Sequence, residues 1–148
     1  MANFWLFDEF LNDLLKGDHD FSTDSFKVAL TSTTPTKATN GVWADLSAGE
    51  QTGSGYTAGG SAVTLTITEP TAGTWQLGGT TNVPWTASAA DWIGFRYAVV
   101  YNTSTAGVTN GLVGVLDYGS TVNLGNGATF TIDPGTNGWV QFVTPTWA

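Results

Sequence analysis

Apolar and polar residues alternate singly along much of the chain, a period of two that predicts strands with one wet face. Val63, Leu65 and Ile67 fall on one side of such a run, Thr64, Thr66 and Thr68 on the other. Phe26, Val28 and Leu30 alternate with Lys27, Ala29 and Thr31, and Phe130 and Ile132 with Thr129, Thr131 and Asp133. The pattern predicts strands near 25–32, 62–68, 73–77, 94–102, 111–118, 121–124, 128–133 and 139–144. Asn-Gly pairs at Asn40-Gly41, Asn110-Gly111, Asn126-Gly127 and Asn137-Gly138 lie between such runs, and this pair suits type I′ hairpins. With many short strands and no interleaved helices, the expected fold is all-β, an antiparallel β-sandwich or jelly-roll-like architecture.

One segment departs from this period. Phe4, Phe7, Leu11 and Leu14 recur at spacings of three and four, with Phe10 and Leu15 widening the stripe. Asn3 can cap the start, Asp8 and Glu9 suit the early turns, and Gly17 suits the position just past the end. The spacing predicts a short amphipathic helix over 3–16. A helix of this length is marginal alone in water and must bury its stripe against something. Trp5 adds apolar surface beyond one face, so residues 1–17 are expected to form a docking arm and 18–148 a single β-sandwich domain. Phe4, Trp5, Phe7, Phe10, Leu11 and Leu14, with Trp147 near the other end, are the expected interface residues.

Composition narrows the function classes. Only 11% of the 148 residues are charged, yet 41% are apolar, which excludes a disordered body. Twelve acids against four bases give a net charge of −8. Binding of nucleic acid needs clustered Lys and Arg, and only Lys16, Lys27, Lys37 and Arg96 exist, so no nucleic-acid partner is expected. The absence of cysteine removes disulfides, Cys-ligated metal and thiol chemistry. No apolar run approaches the ~20 residues of a membrane span, and the acidic start argues against a signal peptide.

Catalytic constellations are sparse. His19 is the single histidine and lies between Asp18 and Asp20, but Thr23 and Ala29 stand where a calcium loop would need Gly and Glu. An exposed turn after the helix is expected there, with no metal or cofactor. No G-x-S-x-G elbow presents a nucleophile. The glycine-rich run from Gly53 to Gly59 lacks a following Lys and helix, so it reads as a loop and not a phosphate cradle. Glu69, Asp91, Asp117 and Asp133 could pair as glycosidase carboxylates, yet Asp117 and Asp133 each sit in a turn context. Trp75, Trp85 and Trp92 could stack on sugars, as in a carbohydrate-binding module, or could fill the core. Asn102-Thr103-Ser104 spells a glycosylation sequon that would be idle without secretion. The expectation is a protein without enzymatic activity.

The run GSGYTAGGSAVTLT (53–66) resembles a recurrent element of small virion structural proteins of tailed bacteriophages. So do WTASAADWIGFRYAVVYNTSTAGVTNGLVGVLD (85–117) and GSTVNLGNGATFTID (119–133), together with the opening helix running into FKVALT and the Thr34-Pro35-Thr36 segment. Residues 67–82 match least well. The resemblance implies a non-enzymatic β protein on the virion, of the capsid decoration (cement) type or associated with tail or fibre. It implies the major capsid protein as partner, self-association as dimer or trimer, and a place on the capsid surface after synthesis in the bacterial cytoplasm. No coiled-coil heptad or β-helix repeat is present, which disfavours a fibre shaft and leaves capsid cement ahead of a tail component.

Overall fold

A computed structural model describes residues 3–80, 82–104, 107–135 and 138–144. The fold is all-β and sandwich-like, with one short helix near the start. Its strands are β1 (Asn3–Leu6), β2 (Phe26–Thr31), β3 (Ser61–Thr71), β4 (Thr74–Thr80), β5 (Val83–Thr86), β6 (Trp92–Asn102), β7 (Leu112–Leu124), β8 (Thr129–Ile132) and β9 (Val140–Val143). The helix α1 spans Asp8–Lys16. Seven strands form one curled antiparallel sheet in the order β1-β7-β6-β2-β3-β4-β9, and β5 pairs with β8 in a separate ribbon. The curl brings the Phe4 ring of one edge strand to 5.8 Å from Trp139, which leads into the other.

Strands form at or near most of the positions the pattern predicts. Val28, Ala29 and Leu30 of β2 and Ala98, Val99 and Val100 of β6 lie at the centre of the sheet and are fully buried or nearly so. Burial on both faces explains why the centre loses its alternation while the flanking β3 keeps it. The β5–β8 ribbon covers one end of the sheet, where Phe130 packs edge-on to Phe95 at 4.9 Å and Tyr118 at 5.1 Å. The strands expected at 111–118 and 121–124 are one continuous strand, β7.

The helix expected over 3–16 is instead a strand followed by a shorter helix. Asn3 to Leu6 pair antiparallel with β7 in the register Asn3↔Asp117 to Leu6↔Gly114. Gly114 is part of the reason. A Cβ there would lie 2.4 Å from the Phe4 ring, so glycine leaves room for the aromatic to cross the sheet. Phe7, in extended conformation, is the residue before the helix, and no side chain caps its first amides. At the far end Gly17 adopts φ 85° and its N–H bonds the Leu14 carbonyl, the glycine stop expected from sequence.

The boundary expected at residue 17 does not separate packing units. β1 belongs to the main sheet, and Phe7 and Phe10 are fully buried in the same core as β2 and β6. Burying each ring contributes about 1.5–3 kcal/mol, which stabilises this docked arrangement. The Asn-Gly pairs also behave differently from expectation. Asn110 alone is left-handed at Asn110-Gly111, and Gly127 alone at Asn126-Gly127, so neither makes a type I′ turn. After Gly127 the chain crosses to pair with β5 rather than folding back on β7. Asn137 lies outside the described residues.

Candidate functional site

His19 is buried, against the expected exposed turn. Its ring lies 5.3 Å from Phe10 and stacks at 6.4 Å on Phe21, which in turn stacks on Phe26. The Asn102 amide nitrogen donates to Asp24 Oδ2 at 2.6 Å and lies 3.1 Å from His19 Nδ1. The Asn102 oxygen accepts from the Ser104 N–H at 2.8 Å, which fixes the orientation of the amide. An amide nitrogen can only donate, so Nδ1 must accept, and the imidazole is neutral with its proton on Nε2. That Nε2 is buried without a hydrogen-bond partner. Burial lowers the imidazole pKa below its ordinary 6.5, with Asp13, Asp24 and Asp18 pulling the other way. The arrangement is a packed polar joint between α1 and the sheet. The sequon residue Asn102 is fully buried in it.

The carboxylates raised as catalytic candidates each bind a turn or a base. Asp117 takes a two-pronged bond from Arg96 at 2.7 and 2.9 Å and also accepts from the Gly119 amide. The Arg96 bonds hold its carboxyl below the usual range. Asp91 accepts from Asn126 N–H, Asp133 from Gly135 N–H and Glu69 from Gly73 N–H. Among the described residues, no three His, Asp or Glu side chains come together as a metal site.

The 53–66 segment is a structural clasp. The indole of Trp92 lies against Gly53 so closely that a Cβ would fall 2.2 Å from it, and its N–H donates to Ser54 O at 2.8 Å. The Tyr56 hydroxyl accepts from the Leu30 amide and donates to Glu50 Oε1, both at 3.0 Å. Glu50 Oε1 also accepts from the Gly59 amide, and Tyr101 donates to the Gly59 carbonyl at 2.7 Å. Burial, with the nearby Glu50 carboxylate, pushes the Tyr101 phenol up to about 12. Gly60 is left-handed, and a Cβ on it would meet the Val28 carbonyl at 2.0 Å. These glycines serve close approach of loop to sheet.

Trp85 and Trp92 are core residues, whereas Trp75 is exposed. Trp75 pairs across strands with Phe142, Leu77 with Val140, and Ile67 with Leu77. Directly paired residues share a face, so these five side chains line one side of β3-β4-β9. Of these, Ile67, Trp75, Leu77 and Phe142 border, with Leu14, Phe21 and Gln76, an open groove of about 450 Å³ whose exposed lining is almost wholly apolar. Of the interface residues expected from sequence, Leu14 lines this groove and Leu11 is exposed in the middle of α1. Phe4 and Trp5 are half-buried against the core, and Phe7 and Phe10 are sealed inside it, so these four serve the fold. Trp147 lies outside the described residues. Reasoning from sequence missed Ile67 and Phe142, although the absence of charge around them was a usable signal. Glu69 is the single charge between residues 51 and 90, and none follows Asp133.

Comparison with protein-family models, curated proteins and solved structures finds no match to this chain.

Proposed function

We propose that this protein is a non-enzymatic virion structural protein of tailed bacteriophages, a capsid decoration protein that binds the major capsid protein lattice. The observation that carries this reading is the charge-poor apolar face of β3-β4-β9, a surface built for contact with another protein. The resemblance of the 53–66 and 85–133 segments to phage virion proteins supplies the kind of partner. The turn duties of Glu69, Asp91 and Asp133 and the Arg96 pairing of Asp117 fit a binding protein better than a cleft enzyme. A sugar-binding face of several aromatics is disfavoured, because Trp85 and Trp92 are buried.

A ligand that binds only the assembled lattice stabilises it by mass action. Particles lacking the protein should therefore release their DNA at lower temperature than decorated ones. Reconstruction of the intact particle should place capsid subunits around the chain. Equal melting of both particles, or a ring of copies stacked on the tail axis, would refute the decoration role and favour a tail component.

A further inference from the structure

The apolar face of β3-β4-β9 runs out to an outer edge of the sheet. β9 is the last strand of the seven-stranded sheet, and among the described residues its backbone pairs only with β4. Exposed edges are ordinarily guarded by Lys, Pro, bulges or covering loops, because an unpaired ladder recruits other strands. β9 reads Val-Gln-Phe-Val and carries neither charge nor proline. Phe142 is 37% exposed and Val143 71%, next to Trp75 at 43% and Ile67 at 57%. Four of the six large exposed hydrophobic residues among those described thus lie on the last three strands at this side of the sheet, two of them on the edge strand itself.

Charge selects the occupant. The protein carries −8 overall, so two copies repel wherever their acidic surfaces meet. The β4-β9 edge holds no ionisable side chain, so a like copy can approach it without burying a charge. Antiparallel pairing of one strand with its own copy across a two-fold axis is self-complementary and closed. An axis perpendicular to the sheet keeps the same face up in both copies. The Trp75–Phe142 face of one copy would then continue into that of the other.

We propose that β9 is a self-association edge, joining two copies of this chain into a dimer with a continuous sheet through antiparallel β9–β9 pairing. The inference deepens the interaction-protein reading and takes its purpose from it, while its geometry rests on the edge strand alone.

The test measures the mass of the full-length chain by sedimentation or light scattering across the micromolar range, for wild type and for Val143→Lys. Position 143 is already exposed, so the lysine should leave thermal unfolding of the monomer unchanged while guarding the edge. Wild type is expected to run as a dimer and Val143→Lys at half its mass. Amide exchange within 140–143 should be slowed in wild type and fast in the variant. A wild type that stays monomeric, or a Val143→Lys that keeps the wild-type dimer mass, overturns the proposal. So does protection of β9 that arises only on particles, which would assign the edge to a different protein. The decoration reading is judged separately, by whether capsid subunits surround the chain in the particle.

Discussion

Replacing Tyr56 by Phe removes one oxygen and isolates the contribution of the loop clasp. The hydroxyl accepts from the Leu30 amide and donates to Glu50. Leu30 is fully buried at the centre of β2, so its amide would lose its partner where water cannot easily replace it. Stranding a buried donor costs about 1–3 kcal/mol. Glu50 is half-buried and keeps the Gly59 amide, so the loss on that side should be partly recovered from solvent. The net expectation is a destabilisation of about 2–3 kcal/mol, and for a domain of this size a fall in Tm of about 5–10 °C. Tyr101→Phe is the internal reference. It removes a donor to the Gly59 carbonyl but strands no amide, and should cost only about 1 kcal/mol. Urea unfolding followed by circular dichroism reads both variants against wild type. A Tyr56→Phe midpoint equal to wild type, or a larger loss for Tyr101→Phe, would show that the Leu30 amide does not depend on this hydroxyl.

Two further perturbations probe the joint between helix and sheet. His19 is held neutral by burial, so its folded pKa lies below the unfolded value near 6.5. The unfolded chain therefore binds the extra proton first. The stability contributed by this group is complete above about pH 6.5 and is lost as the pH falls from there toward the folded pKa. Because the chain has one histidine, its imidazole proton resonance in the folded protein should titrate below pH 6.5, and titration at or above that value would contradict the assignment. Phe10→Ala should cost about 3–5 kcal/mol by opening a cavity beneath the helix, measured by thermal unfolding. A loss under about 1 kcal/mol would mean that the helix is held from elsewhere.

Local pattern alone determined much of this protein. Alternation located β3 and β8 to within a few residues, because a strand with one wet face writes its period into consecutive positions, and β2 and β6 were found as apolar runs bounded by turn residues. The helix stop at Gly17 was equally local, since a left-handed residue there depends on its own backbone. Other features depended on partners far along the chain. Phe4 falls in a helical period with Phe7 and Leu11, yet it and Trp5 lie in a strand because β7 supplies a ladder and Gly114 makes room for a ring. The β5 strand, Val83-Pro84-Trp85-Thr86, is short and holds a proline, and it exists because β8 arrives beside it. His19 is flanked by two aspartates and reads as solvated. Asn102, 83 residues away in sequence, draws it into the interior. Which tryptophans face solvent was likewise invisible, since Trp75, Trp85 and Trp92 share similar local settings. Trp92 is buried because Gly53 and Ser54 fold over it, and Trp75 is exposed because its strand lies next to the sheet's outer edge. Period and turn chemistry are properties of neighbouring residues, whereas burial depends on what the rest of the chain places on top.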